Sequence, residues 1–206
     1  MNKTLNKIAD YLIFYNRRVR DIGLFHGKIG IVVALATYAK KYNDKILKDF
    51  AWDLYEDVFN NITSDMPIGI ESGLAGIGYG TTLLKQLDFV NCDLNDILPD
   101  VDKKIMEHDP RRIPDLTFHN GLYGIMCYIA FREKIEGGIS TFDEQYIQEL
   151  RYRMSNQYDK SSYQNMNILE FLHEPEFEMT EYVDHPLCLD GGSSYFILKD
   201  SAANFD

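Results

Sequence analysis

Cysteine is scarce in this chain. Cys92, Cys127 and Cys188 are an odd number without CxxC spacing, which argues against a disulfide framework and predicts reduced, mostly buried thiols. Basic residues are outnumbered, 21 Lys and Arg against 32 Asp and Glu, for a formal net charge of −11 spread along the chain. That balance argues against non-specific nucleic-acid binding, whose affinity comes from basic groups that release counterions. Long apolar runs are missing too. The most apolar stretch, Ile29 to Ala36, is about half of what a membrane span needs. Met1-Asn2-Lys3-Thr4-Leu5 opens into mixed polar and apolar residues, without the uninterrupted apolar segment of a secretory signal. A cytoplasmic chain with neither nucleic-acid nor membrane partners is the expectation.

What the chain has is enough apolar material for a core, 45% hydrophobic with 13% aromatic among 206 residues, and a recurring glycine phrase. The phrase is glycine, apolar, any residue, glycine, apolar. It stands at Gly27-Lys28-Ile29-Gly30-Ile31, Gly73-Leu74-Ala75-Gly76-Ile77 and Gly121-Leu122-Tyr123-Gly124-Ile125, with a weaker echo at Gly191-Gly192-Ser193. First glycines at 27, 73, 121 and 191 give steps of 46, 48 and 70, and two near-equal steps of this size indicate a repeat architecture.

Each phrase follows an amphipathic helical pattern and opens an apolar one. Leu5, Ile8, Leu12 and Phe14 or Tyr15 recur at helical spacing between Asn2 and Arg20, and Gly27 to Tyr42 is apolar on nearly every side. Asn43 is read as the cap of the next helix, with Ile46, Leu47, Phe50, Leu54, Val58 and Ile62 on one face. The third unit has Ile97, Val101 and Ile105 on its first helix and ends before Pro110, since proline disfavours helix at the residue before it. In the fourth, Thr141 and Glu144 have capping-box spacing, Tyr163 to His173 reads as an additional helix, and Pro175 to Pro186 reads as an acidic loop. The prediction is one all-α domain over residues 1–206, in units of about 1–42, 43–88, 91–135 and 140–206, forming a partial α/α toroid. An open edge of such a layer exposes apolar surface, so a capping segment or a homo-oligomer is expected.

Glycine inside a helix costs roughly 0.5–1 kcal/mol relative to alanine, so several at a helix start need a reason. Small residues allow helix ends to converge, and free N–H groups at several helix starts favour an anionic ligand in a shared cavity.

At these residues the chain resembles the lanthionine synthetase C-like family. The matching text is Gly23-Leu24-Phe25-His26-Gly27-Lys28-Ile29-Gly30, similar to the family's His-Gly-x-x-Gly phrase, with Gly73 to Gly78 and Gly121 to Gly124; the similarity spans roughly residues 1–135. The resemblance implies an α/α toroid of glycine-started inner helices inside outer ones. It also implies peptide cyclisation, in which zinc held by two cysteines and a histidine activates a substrate thiolate toward a dehydroamino acid. The family's Trp-Cys-x-Gly and Cys-His-Gly ligand phrases are absent from this sequence, and Trp52 lies on an outer helix. Seven hairpins close the family's ring and about four units are counted here, so no zinc ligands are assigned to this chain. A relative that binds a precursor peptide or a modifying enzyme, in lantibiotic-type biosynthesis, is the expectation. The alternative is a carbohydrate hydrolase or isomerase on the same scaffold.

Candidate site residues lie just before the inner helices. His26 precedes Gly27 and His119 nearly precedes Gly121, and a neutral imidazole in either place can act as acid or base. Glu71, Asp115, Arg111 and Arg112 occupy the same loops, where the arginines suit an acidic peptide or phosphate. Tyr79, just after one glycine phrase, and Tyr123, within another, are candidate aromatic platforms. His185 and Cys188, at i and i+3 with Asp184 and Asp190 nearby, lack a second ligand pair and are not taken as a metal site.

Overall fold

Apolar periodicity and side-chain caps between them dictate where the helices begin. The computed structural model describes residues 2–138, 141–155, 162–163 and 167–201. α1 (Lys3–Tyr15) is capped by Asn2, whose side chain accepts the Thr4 N–H, and buries Leu5, Ile8, Ala9, Tyr11 and Leu12. It ends at Tyr15 rather than near Arg20; a 3₁₀ turn, Asn16–Arg18, follows. α2 (Lys28–Tyr42) is buried continuously from Ile29 to Ala39, as its all-round apolar pattern requires.

α3 (Lys45–Asn60) is capped by Asp44, and Asn43 instead closes α2 in the left-handed conformation at φ 52°. The buried face keeps Leu47, Leu54 and Val58 of the expected set and adds Ala51 and Tyr55, whereas Ile46, at the edge of the expected face, is exposed. α4 (Leu74–Gln86) is buried from Leu74 to Leu84. The next outer segment is broken in two, α5 (Leu94–Ile97) and α6 (Pro99–Met106), because Pro99 starts a new helix where Leu98 ends the old one. α7 (Leu122–Ile135) and α8 (Glu144–Met154) follow. The α8 cap is Asp143, not Thr141, whose hydroxyl is spent on Asp102 at 3.2 Å.

Part of the expected additional helix, 164–166, lies outside the described residues. Of the described remainder Tyr163 is helical, Ile168–Phe171 is a 3₁₀ turn and Leu172 is extended. The acidic loop after Pro175 holds one short 3₁₀ turn, Met179–Glu181, and the chain ends its description in α9 (Ser193–Ser201).

The helices form two layers. α2 packs on α4 and on α9, and α4 packs on α7, so the inner layer runs α9, α2, α4, α7. Outside it α3 backs α2, α6 backs α4, α8 touches α7, and α1 backs α9. The last inner helix therefore sits beside the first. Between α6 and α7 a buried ion pair, Arg132 with Asp102, is satisfied on every side: the Tyr128 hydroxyl donates to Asp102 at 2.6 Å, and Arg132 donates to the Leu94 carbonyl and Asn95 side chain, both at 3.1 Å. Residues Phe171 to Glu174 link the two ends of the inner arc. The Phe171 ring stacks on Phe118 at 3.8 Å, just before α7, and the Glu174 carboxylate accepts from Tyr195 and Lys199 on α9. Among the described residues no helix is long and apolar enough to cross a membrane.

Candidate functional site

Four copies of one loop build the mouth of this arc. The first N–H of each inner helix donates to a carbonyl seven residues back: Lys28 to Asp21 at 2.9 Å, Leu74 to Pro67 at 2.9 Å, Leu122 to Asp115 at 3.0 Å and Ser193 to Pro186 at 2.8 Å. The glycine before each helix is extended, at φ −114°, −116° and −111° for Gly27, Gly73 and Gly121, so conformational freedom is not its purpose. Space is. A Cβ would stand 2.5 Å from Gly23 O at Gly27, 2.7 Å from Gly69 O at Gly73, 2.5 Å from Thr117 N at Gly121 and 2.8 Å from Cys188 N at Gly192, so only glycine lets the loop fold back on its own helix. The fourth copy thus starts at Gly192, one residue later than expected, and has Tyr195 where the others have a second glycine.

This register gives each position before the glycine a fixed place. Third before it, Leu24, Ile70, Phe118 and Leu189 are buried. Second before it, the backbones hydrogen-bond loop to loop. The Leu189 and Asp190 N–H groups donate to Phe25 O at 3.0 and 2.9 Å, those of Leu24 and Phe25 to Glu71 O at 3.0 Å, and that of Glu71 to His119 O at 2.9 Å. The loops are therefore joined in the same order as the helices.

Side chains at the first two positions make a polar row along the rim. His26 Nε2 lies 3.1 Å from Glu71 Oε1 and 3.9 Å from Asp190 Oδ2. The other Glu71 oxygen accepts from Asn120 Nδ2 at 3.1 Å and stands 3.7 Å from His119 Nδ1. At the far end His173 Nδ1 is 3.2 Å from both Asp190 oxygens. Phe25 lies beneath, its ring edge-on to His119 at 5.3 Å. Asp190 and Glu71 are 11% and 26% exposed against 44% for His26, so the carboxylates are the more sheltered members of the row. An imidazole between two carboxylates can exchange a proton with a ligand, and the row offers hydrogen bonds to an extended backbone. Beside His26 a cleft of about 430 Å³ opens between Arg18 and Arg20 on one side and His185 and Cys188 on the other.

His26, Glu71 and His119 are thus gathered at one place. Asp115 lies in the same loop as His119 but serves its turn: its carboxylate accepts the Thr117 N–H at 2.7 Å, which holds its pKa below the usual range. Arg111 and Arg112 lie in a 3₁₀ turn, Pro110–Arg112, beside α8; both pair with its cap Asp109, at 2.8 and 3.8 Å, and make no ion pair with the row. Tyr79 is 2% exposed with its ring on Phe131, and burial raises its pKa; it packs the interior rather than lining an open cavity. Tyr123 is buried against Phe118 and donates to Ser162 O at 3.1 Å. Three members of the row, Asn120, His173 and Asp190, were not anticipated. Counting back from Gly192 instead of Gly191 puts Asp190 level with Glu71 and His119, whereas nothing in the spacing marks His173.

The zinc set implied by the resemblance does not fit these residues. Cys92 is exposed after α4, Cys127 is buried within α7, and Cys188 lies before α9. Burial pushes the Cys127 thiol up to about 12 and the Cys188 thiol up to about 11. Among the described residues no group of three His, Cys, Asp or Glu side chains is placed to hold a metal ion.

Comparison with known proteins gives one finding. The family model described as lanthionine synthetase C-like protein matches residues 2–173. Neither the curated proteins nor the solved structures give a match.

Proposed function

We propose, on the premise that this chain belongs to the lanthionine synthetase C-like family, that it holds an extended precursor peptide across the loop rim during ribosomal peptide modification of the lantibiotic type. The modifying enzyme is its second partner. One observation carries this reading: four loops from separate repeats converge to bring His26, Glu71, Asp190 and Asn120 into one hydrogen-bonding row, with His26 and Asn120 exposed and the two carboxylates partly sheltered. A peptide crossing it meets acceptors on Glu71 and Asp190 and the imidazoles of His26 and His119, all on a rigid, interlocked frame. In this proposal the chain supplies no zinc ligands, since two of its thiols are buried and no three described His, Cys, Asp or Glu side chains are placed to hold a metal ion.

Fluorescence anisotropy with a labelled precursor peptide bearing Ser, Thr and Cys tests the reading. Wild type should bind, and Glu71→Gln should weaken binding about five- to tenfold by removing a charged hydrogen-bond acceptor. Absence of binding by wild type, or equal binding by Glu71→Gln, refutes it. The 3.1 Å contact between His26 and Glu71 also favours a second reading, a glycan hydrolase or isomerase using this pair as acid and base. Sugar turnover that vanishes in His26→Ala would support that reading in place of peptide binding.

A further inference from the structure

The segment that links the ends of the arc lies on the rim as a peptide ligand would. Leu172 is extended at φ −89° and ψ 136°. At His173 both backbone groups are used by the fourth loop: its N–H donates to Asp190 Oδ1 at 2.5 Å, and its carbonyl accepts the Gly191 N–H at 3.0 Å. Two residues earlier the Phe171 ring stacks on Phe118 at 3.8 Å and meets the edge of Tyr123 at 6.4 Å, while Phe118 itself touches His119 at 5.4 Å. Paired main-chain hydrogen bonds at one residue and an aromatic side chain in an aromatic seat two residues away are the recognition pattern of an extended peptide.

We infer that Phe118, Tyr123, Asp190 and Gly191 form a peptide subsite selective for an aromatic residue, and that Phe171 to His173 fills it as an internal stand-in for the ligand. This rests on the reading of the rim as a peptide-binding surface and adds to it the class of side chain preferred and a means of control. Leu172 is buried and the Tyr195 hydroxyl donates to Glu174 at 2.9 Å, but the groups on either side of Leu172 stay accessible. Phe171 is partly exposed, His173 is 77% exposed, and the Glu174 contact with Lys199 lies on the surface, where such pairs contribute little. An incoming peptide with an aromatic residue in the right register can therefore compete for the seat, and the segment lowers apparent affinity by the fraction of time it occupies it.

The probe is residues 168–175 of this chain as a fluorescein-labelled octapeptide, titrated against the full chain. Phe171→Ala empties the seat and should bind the probe at least tenfold more tightly than wild type, while the probe carrying the same Phe171→Ala change should bind neither. Glu174→Gln, which loosens the segment from outside the seat, should give about a two- to threefold gain and keeps the test valid if Phe171→Ala folds poorly. Equal binding by wild type and both variants, or equal binding of both probes, overturns the inference. Precursor-peptide binding that persists in that case, still sensitive to Glu71→Gln, would show that the rim reading survives without the aromatic subsite.

Discussion

Two glycines in α4 separate packing from helix propensity. Gly76→Ala and Gly80→Ala each gain up to about 1 kcal/mol of propensity, so any difference between them comes from what the new methyl group meets. At Gly80 it meets the Ile29 side chain, Cγ1 at 2.7 Å, a buried β-branched group whose shift costs about as much as the propensity gained but moves no backbone. At Gly76 it is driven into the Ile70 carbonyl oxygen, with the Leu24 Cβ at 3.1 Å on another side. That carbonyl belongs to the loop whose next residue, Glu71, is tied at both its N–H and its carbonyl to neighbouring loops. Relief therefore has to shift three loops, at an overpacking cost of about 1–3 kcal/mol. Gly80→Ala should lie within about 1 kcal/mol of wild type, and Gly76→Ala should be about 1–2 kcal/mol less stable, or about 2–6 °C lower in Tm for a chain of this size. Urea unfolding followed by far-UV circular dichroism measures both. A Gly76→Ala protein as stable as Gly80→Ala would refute the claim that backbone approach requires this glycine.

Removing the Asp102 carboxylate with Asp102→Ala leaves Arg132 buried without its counter-charge, at an expected cost of about 3–5 kcal/mol in the same unfolding assay. Thiol accessibility should divide the cysteines: iodoacetamide at pH 8 should modify Cys92 in the native chain and spare Cys127 and Cys188 until denaturant is added, as peptide mass mapping would reveal. The Arg111 guanidinium holds the Asp109 carboxyl at about 2 in the folded chain, below its ordinary 3.8. Because the folded value is depressed, the stabilisation is present above about pH 4 and is lost as pH falls through about 2. Arg111→Gln should return the Asp109 titration toward the ordinary value in an NMR pH series, and an unchanged midpoint would rule out the guanidinium as the cause.

The parts of this fold that could be read from the sequence are those set by local rules. Apolar content on all sides of 29–39 and 74–84 marks inner helices, and the glycine phrases mark their starts, because backbone approach excludes every larger residue there. Boundaries were misread where two cap residues compete: Asn43 and Asp44 are both good caps, and the left-handed end of α2 takes the first and leaves the second to α3. A sequence does not display the Asp109 side chain beside Arg111, which it engages at 2.8 Å, whereas Arg112 stands 3.8 Å from it and is 88% exposed. Likewise Tyr79 follows its glycine phrase as a cavity residue would, yet a full turn of helix carries it into the interface with Phe131.

Ring order was beyond the reach of periodicity, and the chemistry of the rim depends on it. Equal steps along a chain suggest that each unit packs on the one before, which would set Asp190 next to His119 and leave His26 with Glu71 as its one carboxylate. Instead α9 packs on α2, and the Leu189 and Asp190 N–H groups bond Phe25 O in the first loop. His26 thereby stands between Glu71 at 3.1 Å and Asp190 at 3.9 Å, and the row gains a second acidic member together with His173. The longer step of 70 between the third and fourth phrases supplies the chain needed to cross from α7 to the far side of α2. Part of that same length, Phe171 to Glu174, lies on the rim. The irregular spacing that weakens the repeat in sequence is thus what completes the site in space.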